Sequence, residues 1–229
     1  MSKRERCINV PQEFKIFQTS KGEFLKDGFN LVEGVHVSNL DGINEEYAIE
    51  EYENIFRITI NVSAENIDSV FRELCARVRT PGFLMLEHGT NQNIEKQLRK
   101  SDTDPMHIDV FYLDGLESTA FFALYNQYNK LLVNDGVISF GFGSHICTDE
   151  VYVGPYKIFT IFTNETEKYI DVLKKYNIPQ VHRVKTIWNN FSEESPGSRM
   201  TIKVNGIDIY EMIEQLSKKG LYLGERREE

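Results

Sequence analysis

Read forward from residue 55, the chain repeats one grammar four times: a β-branched or aromatic run, then apolar residues at helical spacing, then a turn. The helical patterns begin near 64, 118, 165 and 208, so each period has room for a strand, a helix and a return strand. In the first unit "IFRITINV" (55–62) alternates as a strand, and Ile67, Val70, Phe71, Leu74 and Val78 follow at helical spacing. Ser63 stands where a helix cap is expected, and Thr80-Pro81-Gly82 stops the helix before "FLMLEH" resumes as a strand. The second unit runs from "HIDVFYL" (107–113) through a helix starting near Ser118, with Phe121, Leu124, Tyr125, Tyr128 and Leu132 inward, to "VISFGF" (137–142).

The third unit opens with "EVYVGPYKIFTIFT" (150–163), in which Gly154-Pro155 turns a hairpin or bends a long strand. Asn164 and Glu167 form a capping pair, Tyr169, Ile170, Leu173 and Tyr176 give the apolar face, and "VHRVKTIW" (181–188) follows as the next run. The fourth has "RMTIKV" (199–204), a helix through Ile209, Met212, Ile213 and Leu216, and a short "LYL" (221–223). Two such units make one split-βαβ, ferredoxin-like sandwich, so four predict two sandwiches in tandem. One mixed sheet with the helices on one face satisfies the same pattern. Either arrangement is α+β. The boundaries that follow are 1–54 for a hairpin-rich N-terminal segment packing on the core, 55–148 for the first pair of units and 149–229 for the second.

Charge is distributed as unevenly as the elements are regular. The formal charge is −9 over 229 residues, yet residues 27–56 hold eight acidic side chains, Asp27 to Glu53, and no Lys or Arg. Residues 101–156 hold eight more against Lys130 alone. Single-sign surfaces of this kind repel a nucleic-acid backbone and attract a basic protein, so nucleic acid is not an expected ligand. No apolar run approaches the roughly 20 residues of a membrane span, and the charged start lacks a secretory signal, so a cytoplasmic protein without membrane attachment is expected. Cys7, Cys75 and Cys147 lie far apart with no Cys-x-x-Cys pair, which predicts ordinary thiols. Nothing in the chain implies a cofactor.

Residues with chemical potential fall in a few places. "NDGVISFGFGSHICTDEVYVGP" (134–155) alternates Phe140 and Phe142 with Gly141 and Gly143, as glycines do where an aromatic ring lies over a strand. His145 in "HICT" matches His107 in "HIDV", and two histidines facing one groove could serve as acid and base on a phosphodiester, with Asp109 as orienter. That arrangement is similar to the two-histidine phosphoesterases, which follow each histidine by a hydroxyl two residues on; here Asp109 and Cys147 occupy those positions. Asp102, Asp104, His107 and Asp109 offer a carboxylate and imidazole set for a metal. His88 ends a strand before a polar loop.

The densest acid lies in "INEEYAIEEYENIF" (43–56), where Glu45, Glu46, Glu50, Glu51 and Glu53 interleave with Tyr47 and Tyr52. Aromatic anchors supply contact area and acids supply steering, which is how protein interfaces divide the work. The leading expectation is therefore an intracellular protein-binding module, an acidic immunity or antitoxin-type inhibitor that covers a basic partner through these seven residues. A hydrolase using His107, Asp109 and His145 is the alternative.

Overall fold

The computed structural model describes residues 28–228. Cys7, Asp27 and the remainder of residues 1–27 lie outside the described residues. The chain forms β1 (Val35–His36), β2 (Glu46–Tyr52), β3 (Ile55–Asn61), α1 (Ile67–Cys75), β4 (Gly82–Gly89), α2 (Gln92–Leu98), β5 (His107–Leu116) and α3 (Ser118–Asn134). There follow β6 (Ser139–Ser144), β7 (Glu150–Val153), β8 (Phe159–Thr163), α4 (Glu167–Lys175), β9 (Ser198–Arg199), α5 (Ile209–Ser217) and β10 (Tyr222–Glu228). Eight strands make one sheet in the order β10-β5-β4-β6-β7-β8-β3-β2, with β1 and β9 paired separately. The fold is α+β, and the strands before and after residue 148 share this one sheet, antiparallel at every neighbour.

Antiparallel register sorts the side chains, because directly opposed residues share a face. Leu84, Leu86, Phe140, Phe142, Val151, Val153, Phe159, Ile161, Ile58 and Ile60 all fall on one face and are buried. The helices cover that face, with α1 between α4 and α3 and α5 beyond α3. Phe71 of α1 meets Phe140 edge-on at 4.9 Å and Tyr125 of α3 at 4.9 Å, while Phe121 stacks on Phe142 at 3.8 Å. Burying one such ring stabilises the fold by about 1.5–3 kcal/mol, so this aromatic cluster is a principal anchor of the helical layer.

The first two units form as the periodicity predicts, and Gly154-Pro155 lies in a hairpin turn between β7 and β8. The later segments differ. "VHRVKTIW" yields no strand; Gln180 bridges Tyr47, and a 3-10 turn spans Ile187–Asn190. "RMTIKV" contributes only the end of β9 and an isolated bridge from Val204 to Ile207. Their apolar residues act as single plugs, with Val184, Ile187 and Ile202 buried. Lys185 crosses the start of β2, its N–H donating to Glu46 Oε1 and its carbonyl accepting from Asn61 Nδ2.

Two expected caps also shift. Ser63 lies before α1, whose cap is Asn66, and its Oγ instead accepts from the Asn30 N–H and donates to Glu65. The α4 cap is Thr166, without a side-chain hydrogen bond. A reciprocal box does form at α5, where the Asp208 carboxylate accepts from the Tyr210 and Glu211 N–H groups and Glu211 reaches back to the Asp208 N–H. "LYL" extends into a seven-residue edge strand, β10, whose register shift between Leu223 and Glu225 and run of charges discourage further strand addition.

Candidate functional site

The structure does not bring His107 and His145 together. His107 begins β5, its N–H donating to Glu95 Oε1 at 2.6 Å and its Nδ1 lying 3.1 Å from Glu95 Oε2. The His145 Nε2 lies 3.1 Å from Asp114 Oδ1, near the far end of β5. Asp114 is seven residues along the strand from His107, about 23 Å at roughly 3.3 Å per residue.

Asp109 faces the helical side and is gripped there. Arg226 of β10 donates to both of its oxygens, at 2.6 and 2.9 Å, and Thr90 Oγ1 donates at 2.6 Å. Burial pushes its pKa up, but the Arg226 and Thr90 hydrogen bonds and the Arg226 charge outweigh that and hold it below the usual carboxylate range. Asp104 accepts from the Lys100 and Ser101 N–H groups, and the Asp102 carbonyl accepts from Arg99, so this loop is organised by its own backbone. Among the described residues no three His, Cys, Asp or Glu side chains converge so as to hold a metal ion. His88 is buried against Phe111, with ring centroids 5.5 Å apart.

The glycine-rich stretch does carry rings over its backbone, but they come from neighbouring strands. Phe140 and Phe142 point into the core. A Cβ on Gly143 would come within 2.3 Å of the Phe83 ring, and one on Gly141 would press on Tyr152. Cys147 donates its thiol to Asp149 Oδ2 at 3.1 Å.

These glycines belong to the outer sheet face, opposite the helical layer. One row across it runs Ala48, Thr59, Thr160, Tyr152, Gly141, Met85, Tyr112 and Tyr222; the next runs Glu50, Arg57, Phe162, Glu150, Gly143 and Phe83. Tyr52, Ile55, Phe162 and Tyr222 are exposed, whereas Met85 and Ala48 are buried. Two polar clusters stand on this face. Arg57 pairs with Glu50, which also accepts from the Tyr52 hydroxyl at 3.2 Å; Arg227 donates to Glu87 at 2.7 Å, and Glu87 accepts from the Tyr152 hydroxyl at 2.7 Å.

The seven residues of the acidic segment divide into two groups. Glu45 accepts from the Ser63 N–H and Asn66 Nδ2, Glu46 from the Lys185 N–H, and Tyr47 is buried with its backbone paired to Pro179 and Val181. These three hold neighbouring loops. Glu50, Glu51, Tyr52 and Glu53 form the exposed tip of the β2–β3 hairpin. Hydrogen bonds from Arg57 lower the Glu50 pKa, and Arg183 adds positive charge nearby. Glu51, Tyr52, Glu53, Ile55, Arg57 and Phe162 line an open depression of about 650 Å³.

Lys157 is a buried amine that no sequence pattern marks. Its Nζ donates to the Leu132 and Ile138 carbonyls at 2.9 Å each, the first in the last turn of α3, and its backbone φ is 60°. Burial pushes its pKa down to about 7, against the opposing pull of Asp135.

No family model matches this chain, and neither a curated protein nor a solved structure matches it. Among the described residues no helix is long and apolar enough to cross a membrane.

Proposed function

We propose that this protein is a cytoplasmic binding module that covers a basic partner protein, in its most specific form an immunity or antitoxin-type inhibitor. The observation that supports this reading most is the hairpin tip: Glu51 and Glu53 have no ion-pair partner among the described residues, and they border exposed Tyr52, Ile55 and Phe162 around a shallow depression. Acidic groups without internal partners steer a cationic surface, and adjacent rings give it something to bury. A nuclease-like toxin presents such a surface at its active site, and occupying it with carboxylates mimics the phosphates it evolved to hold.

The test is affinity capture of the tagged chain from its native lysate at low and moderate salt, beside a Glu50→Lys/Glu51→Lys/Glu53→Lys variant. A stoichiometric basic protein retained at low salt, released as salt rises and lost from the variant is the expected result. Equal retention by both chains would sink the proposal.

A further inference from the structure

The outer face carries a further acidic position in line with the hairpin tip. In the row from Glu50 to Phe83, Glu150 of β7 stands between Phe162 of β8 and Gly143 of β6. The two arginines on these rows and beside them are already engaged, Arg57 with Glu50 and Arg227 with Glu87. Glu150 lies between those two clusters, half-buried, and among the described residues its carboxylate has no hydrogen-bond or ion-pair partner. Because Gly143 has no side chain, the Phe83 ring occupies the space above it. A carboxylate is thus set between two aromatic side chains, Phe162 on one flank and Phe83 on the other.

From Phe162 to Phe83 the row is apolar on both sides of Glu150 and negative at that one point. A long cationic side chain has the complementary form, with an apolar stem and a charged head. Guanidinium fits better than ammonium, since its plane stacks on rings while its fork meets both carboxylate oxygens. We infer that the outer sheet face seats an arginine of the basic partner, its guanidinium at Glu150 and its stem between Phe162 and Phe83. This rests on the basic-partner reading above and extends that interface from the hairpin tip to the middle of the sheet. Burial, and next the charge of Glu87, push the Glu150 pKa above its ordinary value, so the bare carboxylate is disfavoured there and an arriving cation relieves it.

The experiment titrates hexa-arginine and hexa-lysine peptides into the full chain at low salt, by fluorescence anisotropy. It compares the wild type with Glu150→Gln and with the hairpin-tip triple variant. Glu150→Gln is nearly isosteric and removes no internal partner, and its melting curve serves as the control for folding. The expected result is that hexa-arginine binds several-fold tighter than hexa-lysine, and that Glu150→Gln weakens it about tenfold and erases the preference. If Glu150→Gln binds hexa-arginine like the wild type while the tip variant does not, the Glu150 seat is wrong and the basic-partner reading stands. Equal affinity for the two peptides overturns the guanidinium assignment. Failure of hexa-arginine to bind the wild type overturns the seat outright, leaving the capture experiment to decide the broader reading.

Discussion

The two faces of the sheet are built from the same strands, residue by alternate residue, and differ in almost everything else. On the helical side the strands present Ile, Leu, Val and Phe, and the interior cluster of Phe71, Tyr125, Phe140 and Phe121 fills the space to the helices. On the outer side the same strands present Thr59, Thr160, Tyr152, Gly141, Gly143 and Glu150, with aromatic rings laid along the sheet rather than standing on it. Packing density specifies the first face. The second is specified by which charges are matched and which are left over. On that face Arg57 and Arg227 are paired with Glu50 and Glu87, while Glu150 is left over, which is the charge pattern the proposed cationic partner would complement.

The comparison can be broken most decisively in the core. Phe71→Ala is expected to cost about 3–5 kcal/mol of folding stability, read from urea unfolding, because it empties the centre of the aromatic cluster. Lys157 gives a graded test: its native pKa lies near 7, against an ordinary value of 10.5. Between those values the unfolded chain holds a proton that the native chain lacks, so stability rises with pH by up to about 1.4 kcal/mol per unit, and it is level with respect to this group below pH 7. Lys157→Met is expected to remove that slope in urea midpoints measured from pH 7 to 10. On the outer face, Gly143→Ala forces the Phe83 ring aside and is expected to cost about 1–3 kcal/mol, which calorimetry would register as a lower melting temperature. Phe162→Ala, exposed on the same face, is expected to change stability by less than about 0.5 kcal/mol while weakening partner binding. A large loss of stability from Phe162→Ala would erase the distinction between the faces.

What was legible in the sequence is what is local. Ile67, Val70, Phe71 and Leu74 lie on one helical stripe, and that stripe is buried in α1. The tip residues Glu50 to Glu53 are exposed because adjacent polar residues at a hairpin turn have no core to enter. What was not legible depends on pairing across long stretches. Asp109 reads as a candidate catalyst or ligand until Arg226, 117 residues away, is found to grip it. Residues 181–188 and 199–204 alternate like strands, yet β2 and β10 take the edges of the sheet. The short α2 has Ile94 and Leu98 as its apolar residues, a single pair too brief to mark a helix, and its visible signal is Asn91, whose side chain accepts from the Asn93 N–H. Glu150 is one more acid in an acidic stretch until the register places it between two aromatic residues.

The same long-range pairing orders events in time. β5 has β4 on one side from early in synthesis, but its other side waits for β10, more than a hundred residues later. At roughly 5–20 residues per second that interval lasts about 5–20 s, whereas a hairpin forms in about 1–10 μs. Throughout it, Ile108 to Tyr112 offer an unsatisfied ladder of backbone donors and acceptors beside apolar side chains. The nascent chain is therefore most adhesive along a strip that the finished molecule hides beneath β10.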